Sequence, residues 1–355
     1  MTLSHFHRSE SDDRRVIVVG AGVAGSVCAR DLASAGWSVT LLDKGRGPGG
    51  RASSRRSEPY RFDHGAQYFT VRGANFRRRV ESMAARGIAE VWRPRIASID
   101  RAGATRSDAS DNPPSSHQRW VACPGMNDLV RDLQYGLDVS YGQRVERIER
   151  TAEGWVVGCA DRAEKRVASH LILAVPAPQA AALLPDHLDV RTRLDAVSMQ
   201  PCWAVMIAFR RPLSLSFDAA HVEDGPLRWI ARQPSRPDRP PLEAWVLHAS
   251  PEWSRQYLET DPPEVAEELR RVFQRIVRMA GPGHAAADPV LCAAHRWRYA
   301  LVDRPLGAPF LWRDETRLGL CGDWCLGPRI EAAFESGRAM ARCLLRGHAA
   351  PTHAR

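Results

Sequence analysis

Residues 15–25 read Arg15-Val-Ile-Val-Val-Gly-Ala-Gly-Val-Ala-Gly25, and residues 38–43 read Ser38-Val-Thr-Leu-Leu-Asp43. The apolar run Val16–Val19 is short and β-branched, as a strand buried on both faces requires. Beyond the glycines, Val23, Val27 and Leu32 recur near helical spacing, and Gly36 suits a helix stop. Ser38–Asp43 is a second strand. Strand, helix and strand within about thirty residues make a βαβ unit with a right-handed crossover. Gly20-x-Gly22-x-x-Gly25 sits between strand and helix, the context that gives this spacing meaning. Gly20 permits the tight turn, Gly22 lets backbone approach a pyrophosphate, and Gly25 allows close helix–sheet packing. Amides of the helix start, at Val23 and Ala24, then face the phosphates. Asp43 ends the second strand where a carboxylate accepts from a ribose diol, and an acid there disfavours a 2′-phosphate. The unit alone is compatible with NAD or FAD.

Outward from this unit, Lys44-Gly-Arg-Gly-Pro-Gly-Gly-Arg51 is a second glycine-rich loop expected beside the same pyrophosphate. Ala74–Ala85 reads as a helix, and Arg101–Gln118 as a long loop or excursion. Arg144–Glu149 and Gly154–Cys159 read as a meander. Ser169–Val175 is a buried strand that must turn at Pro176 and Pro178. Between about 190 and 291, strand-like stretches with tryptophans (202–209, 227–233, 242–249) alternate with Pro-rich turns. Pro263–Met279 is a helix among them. Arg317–Cys321 returns as a strand, and Ile330–Leu345 is a closing helix. The expected division is a disordered tail at 1–14, a discontinuous nucleotide domain at 15–72, 118–189 and 292–347, an inserted substrate domain at 73–117 and 190–291, and a tail at 348–355. The inserted domain should be α+β on a mostly antiparallel sheet.

At 355 residues the chain exceeds the roughly 250–300 at which single cores stop growing. Fifty Lys+Arg against 41 Asp+Glu give +9. Only Lys44 and Lys165 are lysines, and the arginines are dispersed rather than blocked into a tail. A basic cleft collecting an anionic small molecule is therefore expected in preference to nucleic acid. The eight cysteines form no CxxC pair and no Cys/His ligand spacing, so buried reduced thiols and no metal are expected. No run reaches the ~18 apolar residues of a membrane span, and the start lacks an apolar secretory region. A cytoplasmic protein without a membrane partner is the expectation. Nothing in the sequence sets its oligomeric state.

Several further motifs follow in order: Phe62-Asp-His-Gly-Ala-Gln-Tyr-Phe69, Val121-Ala-Cys-Pro-Gly-Met126, Leu173-Ala-Val-Pro-Ala-Pro178, His295-Arg-Trp-Arg-Tyr-Ala300 and Cys321-Gly-Asp-Trp324. With the opening glycines and Gly49-Gly50-Arg51, this ordered set resembles the flavin amine-oxidase superfamily, and within it the renalase-like branch, over about residues 15–345. The resemblance implies an α/β, glutathione-reductase/p-hydroxybenzoate-hydroxylase-like FAD domain of Rossmann type. It places Gly20, Gly22, Gly25, Lys44, Gly49, Gly50 and Arg51 at the pyrophosphate and Asp43 at the adenosine ribose. It puts the backbone of Val145 at the adenine, and Gly65, Ala66, Gln67 and Tyr68 on a flavin-proximal loop. Ala174, Pro176 and Gly322 line the cofactor. Asp323 bonds the ribityl chain or pyrophosphate, while Arg329, Ile330 and Ala333 present a helix start to the isoalloxazine. Hydride arriving at flavin N5 leaves negative charge over N1 and the C2 carbonyl, which such a helix start stabilises.

The chain lacks the Ser-Gly-Gly-Cys-Tyr segment by which some relatives attach flavin, so non-covalent FAD is expected. The paired aromatic cage of classical amine oxidases is not identifiable, which favours the renalase-like reading. That reading implies oxidation of isomeric dihydro-NAD(P), with oxygen reoxidising the flavin to give hydrogen peroxide. A flavin monoamine or polyamine oxidase is the alternative, and a flavin-binding redox sensor or carrier without turnover is a third. In the pocket expected over the flavin, Tyr68, Gln67 and Trp297 either line the site or fill the core. Arg298 either pairs with a substrate phosphate or carboxylate or is one arginine among many. His64, His248 and His295 are either near the site or structural. Hydride transfer from a dihydropyridine needs no general base; an amine must first lose a proton.

Overall fold

The computed structural model describes residues 13–100, 104–107, 118–160, 165–185, 189–280 and 288–347. The expected tails, apart from Asp13 and Arg14, and most of the 101–118 excursion fall outside them. The described part of that excursion includes a strand, Thr105–Ser107, paired with Ile96–Ile99. The chain divides into two compact units: Met1–Gly50, Val130–Ser198 and Arg304–Arg355, and Arg51–Leu129 with Met199–Asp303. Relative to the boundaries drawn from sequence, residues 51–72, 118–129 and 292–303 group with the second unit, and residues 190–198 with the first. The reason is pairing. The strands Ser54–Ser57 and Tyr60–Asp63 form a hairpin, and Leu291–Arg304 edges the seven-stranded sheet of that unit.

In the first unit a six-stranded sheet runs in the order Leu311–Arg313, Leu318–Leu320, His170–Leu173, Arg15–Val19, Ser38–Leu42, Val139–Ser140. All neighbours are parallel except the first pair. Val16–Val19 is central and buried, which its unbroken apolar run required. The helices Val23–Ser34 and Ile330–Gly347 pack over this sheet, joining Val18, Cys28, Leu32, Leu41, Ile172, Met340 and Leu344 in one core. Their contact leaves no room for a side chain at Gly337, where a Cβ would stand 2.2 Å from the carbonyl oxygen of Ala24. The expected meander is a three-stranded antiparallel sheet of Val145–Thr151, Gly154–Cys159 and Arg166–Ala168. After Pro176 the chain does not merely turn. Ala177–Leu183 is a short helix with Pro178 in its first turn, where the missing N–H costs nothing.

The second unit carries a mostly antiparallel seven-stranded sheet; Ala219–Val222 and Ile96–Ile99 pair in parallel. Strand alternation sorts Ser198–Ala208 and Ala244–Ala249 onto two faces. Val205, Ile207, Trp245 and Leu247 face the helix Pro262–Met279 through Leu269, Phe273 and Ile276. Met206, Ala208, Ala244 and Val246 face Phe62 on the other side. Among the cysteines Cys28, Cys123, Cys202, Cys321 and Cys325 are buried as expected, but Cys159, Cys292 and Cys343 are only half-buried; all eight are free thiols. No helix among the described residues is long and apolar enough to cross a membrane.

Replacing Gly337 by Val should destabilise the chain by roughly 1–3 kcal/mol, because overpacking against backbone exceeds the few tenths gained from helix propensity. A urea midpoint equal to that of the parent chain contradicts the close helix contact.

Candidate functional site

The register of the first unit brings four strand ends level: Val19 pairs with Leu42 and Leu173, and Leu173 with Leu320. Gly20, Asp43, Ala174 and Cys321 therefore leave one edge of the sheet together, the carboxyl-end edge where open α/β sheets bind ligands. Gly20 has φ +103, its N–H donates to the Leu42 carbonyl at 2.7 Å, and a Cβ there would meet the Ala174 carbonyl oxygen at 2.7 Å. At Gly25 a Cβ would lie 1.9 Å from the Gly20 oxygen, so the helix can start this close only without one. Gly22 is the residue before the helix and has no side-chain cap; a Cβ on it meets nothing within 4 Å. The N–H groups of Val23 and Ala24 in the first turn have no intrahelical acceptor. Open space before unpaired amides is the geometry a pyrophosphate fits.

The Asp43 carboxylate shapes this turn. Oδ2 accepts from the Ala21 N–H at 2.7 Å, and Oδ1 accepts from the Gly45 N–H at 2.6 Å. Each oxygen keeps a second lone pair, so the group can hold the loop and still accept from a diol. A Cβ on Gly50 would stand 3.3 Å from the Gly22 Cα, which places the second glycine loop against the first. Gly49 is buried, and Lys44 is exposed. Gln134 supports the turn from beneath: its Nε2 donates to the Ala21 carbonyl at 2.9 Å and to Ser26 Oγ at 3.0 Å, and the Tyr141 hydroxyl donates to its Oε1.

Other candidates fall in the same unit with distinct settings. Gly322 donates its N–H to the buried Ser336 Oγ at 2.9 Å, and Trp324 Nε1 donates to the Val175 carbonyl at 3.0 Å. Asp323 starts the 3-10 turn between these ties. The closing helix begins at Ile330; Ala333 N–H already bonds back to Arg329 O at 3.2 Å. Pro176 caps the helix Ala177–Leu183. Val145, half-buried, is the first residue of its strand and pairs with Cys159.

The second unit gathers His64, His248, His295 and Trp297. The His64 carbonyl accepts from Trp297 Nε1 at 2.9 Å and lies 3.1 Å from His248 Nε2. The His64 ring stacks on Trp297 with centroids 5.2 Å apart, and His295 meets both rings edge-on at 4.8 and 4.4 Å. Burial, with His295 next, pulls the His64 pKa down to about 3. Burial likewise pulls His248 down to about 4, against the raising effect of its bond to His64, and lowers His295. These rings stay neutral at physiological pH and, with their pKa values lowered, are weak bases better suited to packing and hydrogen bonding than to accepting a proton.

Arg298 does not join that cluster. It alternates with Trp297 along Leu291–Arg304 and forms a two-bond pair with Glu259, at 2.6 and 2.9 Å. Tyr68 packs among Trp92 and Trp229 at 6.1 Å each, with the Arg119 guanidinium 5.5 Å from its ring, and Trp229 is the cross-strand partner of His248. Gln67 is buried and committed: its Nε2 donates to Asp63 O, and its Oε1 accepts from Arg236 Nη2 at 2.5 Å. The Ala66 N–H donates to Arg51 O at 2.9 Å, and Gly65 packs so closely that a Cβ would lie 2.1 Å from that oxygen. The loop of residues 63–68 is thus held by its own backbone and by Asp63, whose carboxylate accepts from Ser54 Oγ, Arg239 Nη2 and, at 3.0 Å, the Met126 N–H. Sequence reasoning missed Gln134, Tyr141, Ser336, Arg236 and Arg239. None sits in a motif; Gln134, Arg236 and Arg239 act on stretches more than a hundred residues away, while Tyr141 acts through Gln134.

A family model described as NAD(P)-binding Rossmann-like domain matches residues 18–86, and one described as flavin containing amine oxidoreductase matches residues 114–345. Curated relatives match only locally. A neurosporene-forming phytoene desaturase of Cereibacter sphaeroides is 46% identical over 61 residues, 17% of this chain and 12% of that protein. The bifunctional MnmC protein of tRNA 5-methylaminomethyl-2-thiouridine biosynthesis from Ralstonia nicotianae is 47% identical over 45 residues, 13% of this chain and 7% of its own. Solved structures match throughout. A protein of Exiguobacterium sp. 255-15, provisionally assigned as a protoporphyrinogen oxidase, has TM-score 0.74 at 13% identity over 94% of this chain and 99% of its own. A redesigned double mutant of putrescine oxidase has TM-score 0.68 at 15% identity, with the same coverages.

The depressed histidine pKa values imply an acid-sensitive fold. Between the ordinary value near 6.5 and the folded values, the unfolded chain binds protons that the folded chain does not. Stability is therefore complete above about pH 6.5 and declines as pH falls toward 4, by about 1.4 kcal/mol per unit of depression. The melting temperature should drop across this window, and His64→Gln should flatten the decline. An unchanged melting temperature from pH 7 to 4.5 contradicts neutral burial.

Proposed function

The chain belongs to the family of flavin containing amine oxidoreductases, and on that footing we propose that it is a renalase-like oxidase of isomeric dihydro-NAD(P). Its coarser activity follows from the family: it is an FAD-dependent oxidoreductase. The turn Gly20–Gly25, with the helix start at Val23 and Ala24, would hold the pyrophosphate, and Asp43 the ribose. Gly49, Gly50, Ala174, Pro176, Val145, Gly322, Asp323 and the helix start at Arg329, Ile330 and Ala333 complete that assignment. FAD, when bound, supplies the acceptor for a hydride, and oxygen then takes the electrons as hydrogen peroxide.

The observation that carries the substrate reading is the neutrality of the cluster around Trp297. A dihydropyridine is uncharged and planar and gives up a hydride to become an aromatic cation, so no proton need be removed. The Trp297 face, with His64 and His295, offers a flat neutral surface for such a ring. The bonds of Trp297 Nε1 and His248 Nε2 to the His64 carbonyl hold that surface rigid. An amine arrives as an ammonium ion and benefits from a carboxylate or a strong base; this cluster holds no carboxylate, and burial makes His64 and His248 weak bases. Flavin would be held without a covalent bond: burial keeps the Cys325 thiol pKa far above its ordinary range, which suppresses the thiolate an attachment needs.

Anaerobic mixing with 2- or 6-dihydro-NAD(P) should bleach the flavin within seconds. Absence of bleaching at millimolar concentration overturns the proposal, and bleaching by putrescine or a monoamine instead transfers the activity to the amine oxidase reading. Reduced flavin that persists in air would mark a carrier.

A further inference from the structure

One peptide of the nucleotide turn has its direction set by side chains that belong to none of the sequence motifs. Ala21 is buried, and its carbonyl oxygen accepts twice, from Gln134 Nε2 at 2.9 Å and from Ser26 Oγ at 3.3 Å. Gln134 Nε2 also donates to Ser26 Oγ at 3.0 Å, so both amide hydrogens of Gln134 are used. A carbonyl can only accept, so Gln134 must turn its NH₂ toward Ala21 and its Oε1 toward Tyr141. The Tyr141 hydroxyl donates to that Oε1. Burial, with the Asp43 carboxylate next, pushes the Tyr141 pKa up to about 12 against the effect of its bond to Gln134, so the phenol keeps the proton it donates. Gln134 and Ser26 are themselves buried.

The far end of this peptide unit is the Gly22 N–H. The Ala21–Gly22 bond is trans, and across a trans peptide the C=O and the following N–H point in opposite directions. Holding the Ala21 carbonyl against Gln134 and Ser26 therefore aims the Gly22 N–H away from them. Among the described residues that N–H has no acceptor. Gly22 carries no side chain to resist rotation, so its peptide is free to turn over unless something ties it down. Turned over, the peptide would present a carbonyl oxygen where the turn must present a donor to a phosphate. It would also leave the buried donors of Gln134 and Ser26 without the Ala21 acceptor, which opposes the rotation. Asp43 acts on the preceding peptide, through the Ala21 N–H at 2.7 Å. Ala21 is thus held on both sides.

We propose that Gln134 and Tyr141 are positioning residues for FAD. Tyr141 orients the Gln134 amide, Gln134 and Ser26 hold the Ala21 carbonyl, and the Gly22 N–H is thereby fixed as a donor to the pyrophosphate. The relay lies wholly within the first unit and does not depend on which molecule the flavin oxidises.

Flavin-fluorescence titration of the full, flavin-stripped chain with FAD tests the relay. Tyr141→Phe should weaken binding about threefold to tenfold, and Gln134→Met, which keeps the bulk and removes the amide, about tenfold or more. Because Tyr141 acts through Gln134, adding Tyr141→Phe to Gln134→Met should cost nothing further. Gln134→Glu supplies a readout that lost packing does not move. Its carboxylate faces the Ala21 oxygen with no donor, whereas its protonated form donates again, and burial raises the pKa at which that proton is taken up. FAD affinity of this variant, relative to the parent chain at the same pH, should therefore rise about tenfold from about pH 8.5 to about pH 5.5. If Gln134→Met does not fold, Tyr141→Phe and the Gln134→Glu profile decide the matter. Parent-like affinity in Tyr141→Phe or in Gln134→Met, losses that add in the double variant, or a Gln134→Glu profile parallel to that of the parent overturns the proposal.

Discussion

The Asp43 carboxylate ties two glycine-rich stretches to the end of one strand. By accepting from Ala21 N–H and Gly45 N–H it stops the chain on both sides of the nucleotide turn from relaxing outward. Charge-assisted bonds of this kind are roughly twice as strong as neutral ones. The turn cannot be held by side-chain packing, since Gly20, Gly22 and Gly25 have none to offer. A carboxylate at the strand end and Gln134 beneath the Ala21 carbonyl do that work instead. The amides of the helix's first turn have no intrahelical acceptor, and the space a Cβ on Gly22 would enter is open.

Asp63 plays a comparable part in the second unit, at higher cost. It is fully buried, gathers Ser54, Met126 N–H and Arg239, and thereby fixes the hairpin 54–63 against the chain near residue 126. Next to it, the His64 carbonyl orders Trp297 and His248. One dipeptide thus anchors both an interior ionic network and a neutral aromatic surface. The strand direction separates them, sending the Asp63 carboxylate toward the arginines while the His64 ring stacks on Trp297.

Much of this was legible in the sequence where the physics is local. The βαβ unit, the helix Pro262–Met279 and the closing helix follow from periodicity and from Gly and Pro punctuation. Asp43 follows from its distance to the glycines, although its structural bonds to Ala21 and Gly45 do not. His295, Trp297 and Arg298 stand together in one quoted motif, and their separation onto alternate faces follows only from Leu291–Arg304 being one strand. Gln134, Arg236 and Arg239 were not legible. Their partners lie 113, 169 and 176 residues away, and no local pattern encodes such a meeting. The unit boundaries shifted for the same reason, because sheet pairing assigns a strand to its neighbours and not to its place in the chain.

The most direct measurement of the central claim is FAD titration of the flavin-stripped chain and its Asp43→Asn variant, followed by flavin fluorescence. In the variant an amide NH₂ confronts one of the two backbone N–H donors, so the turn should open while the two cores stay folded. Tight one-to-one binding by the parent chain, and affinity at least about tenfold weaker in a variant of unchanged circular dichroism, is the predicted result. Equal affinity for the two chains, or no uptake of FAD by the parent, would contradict it.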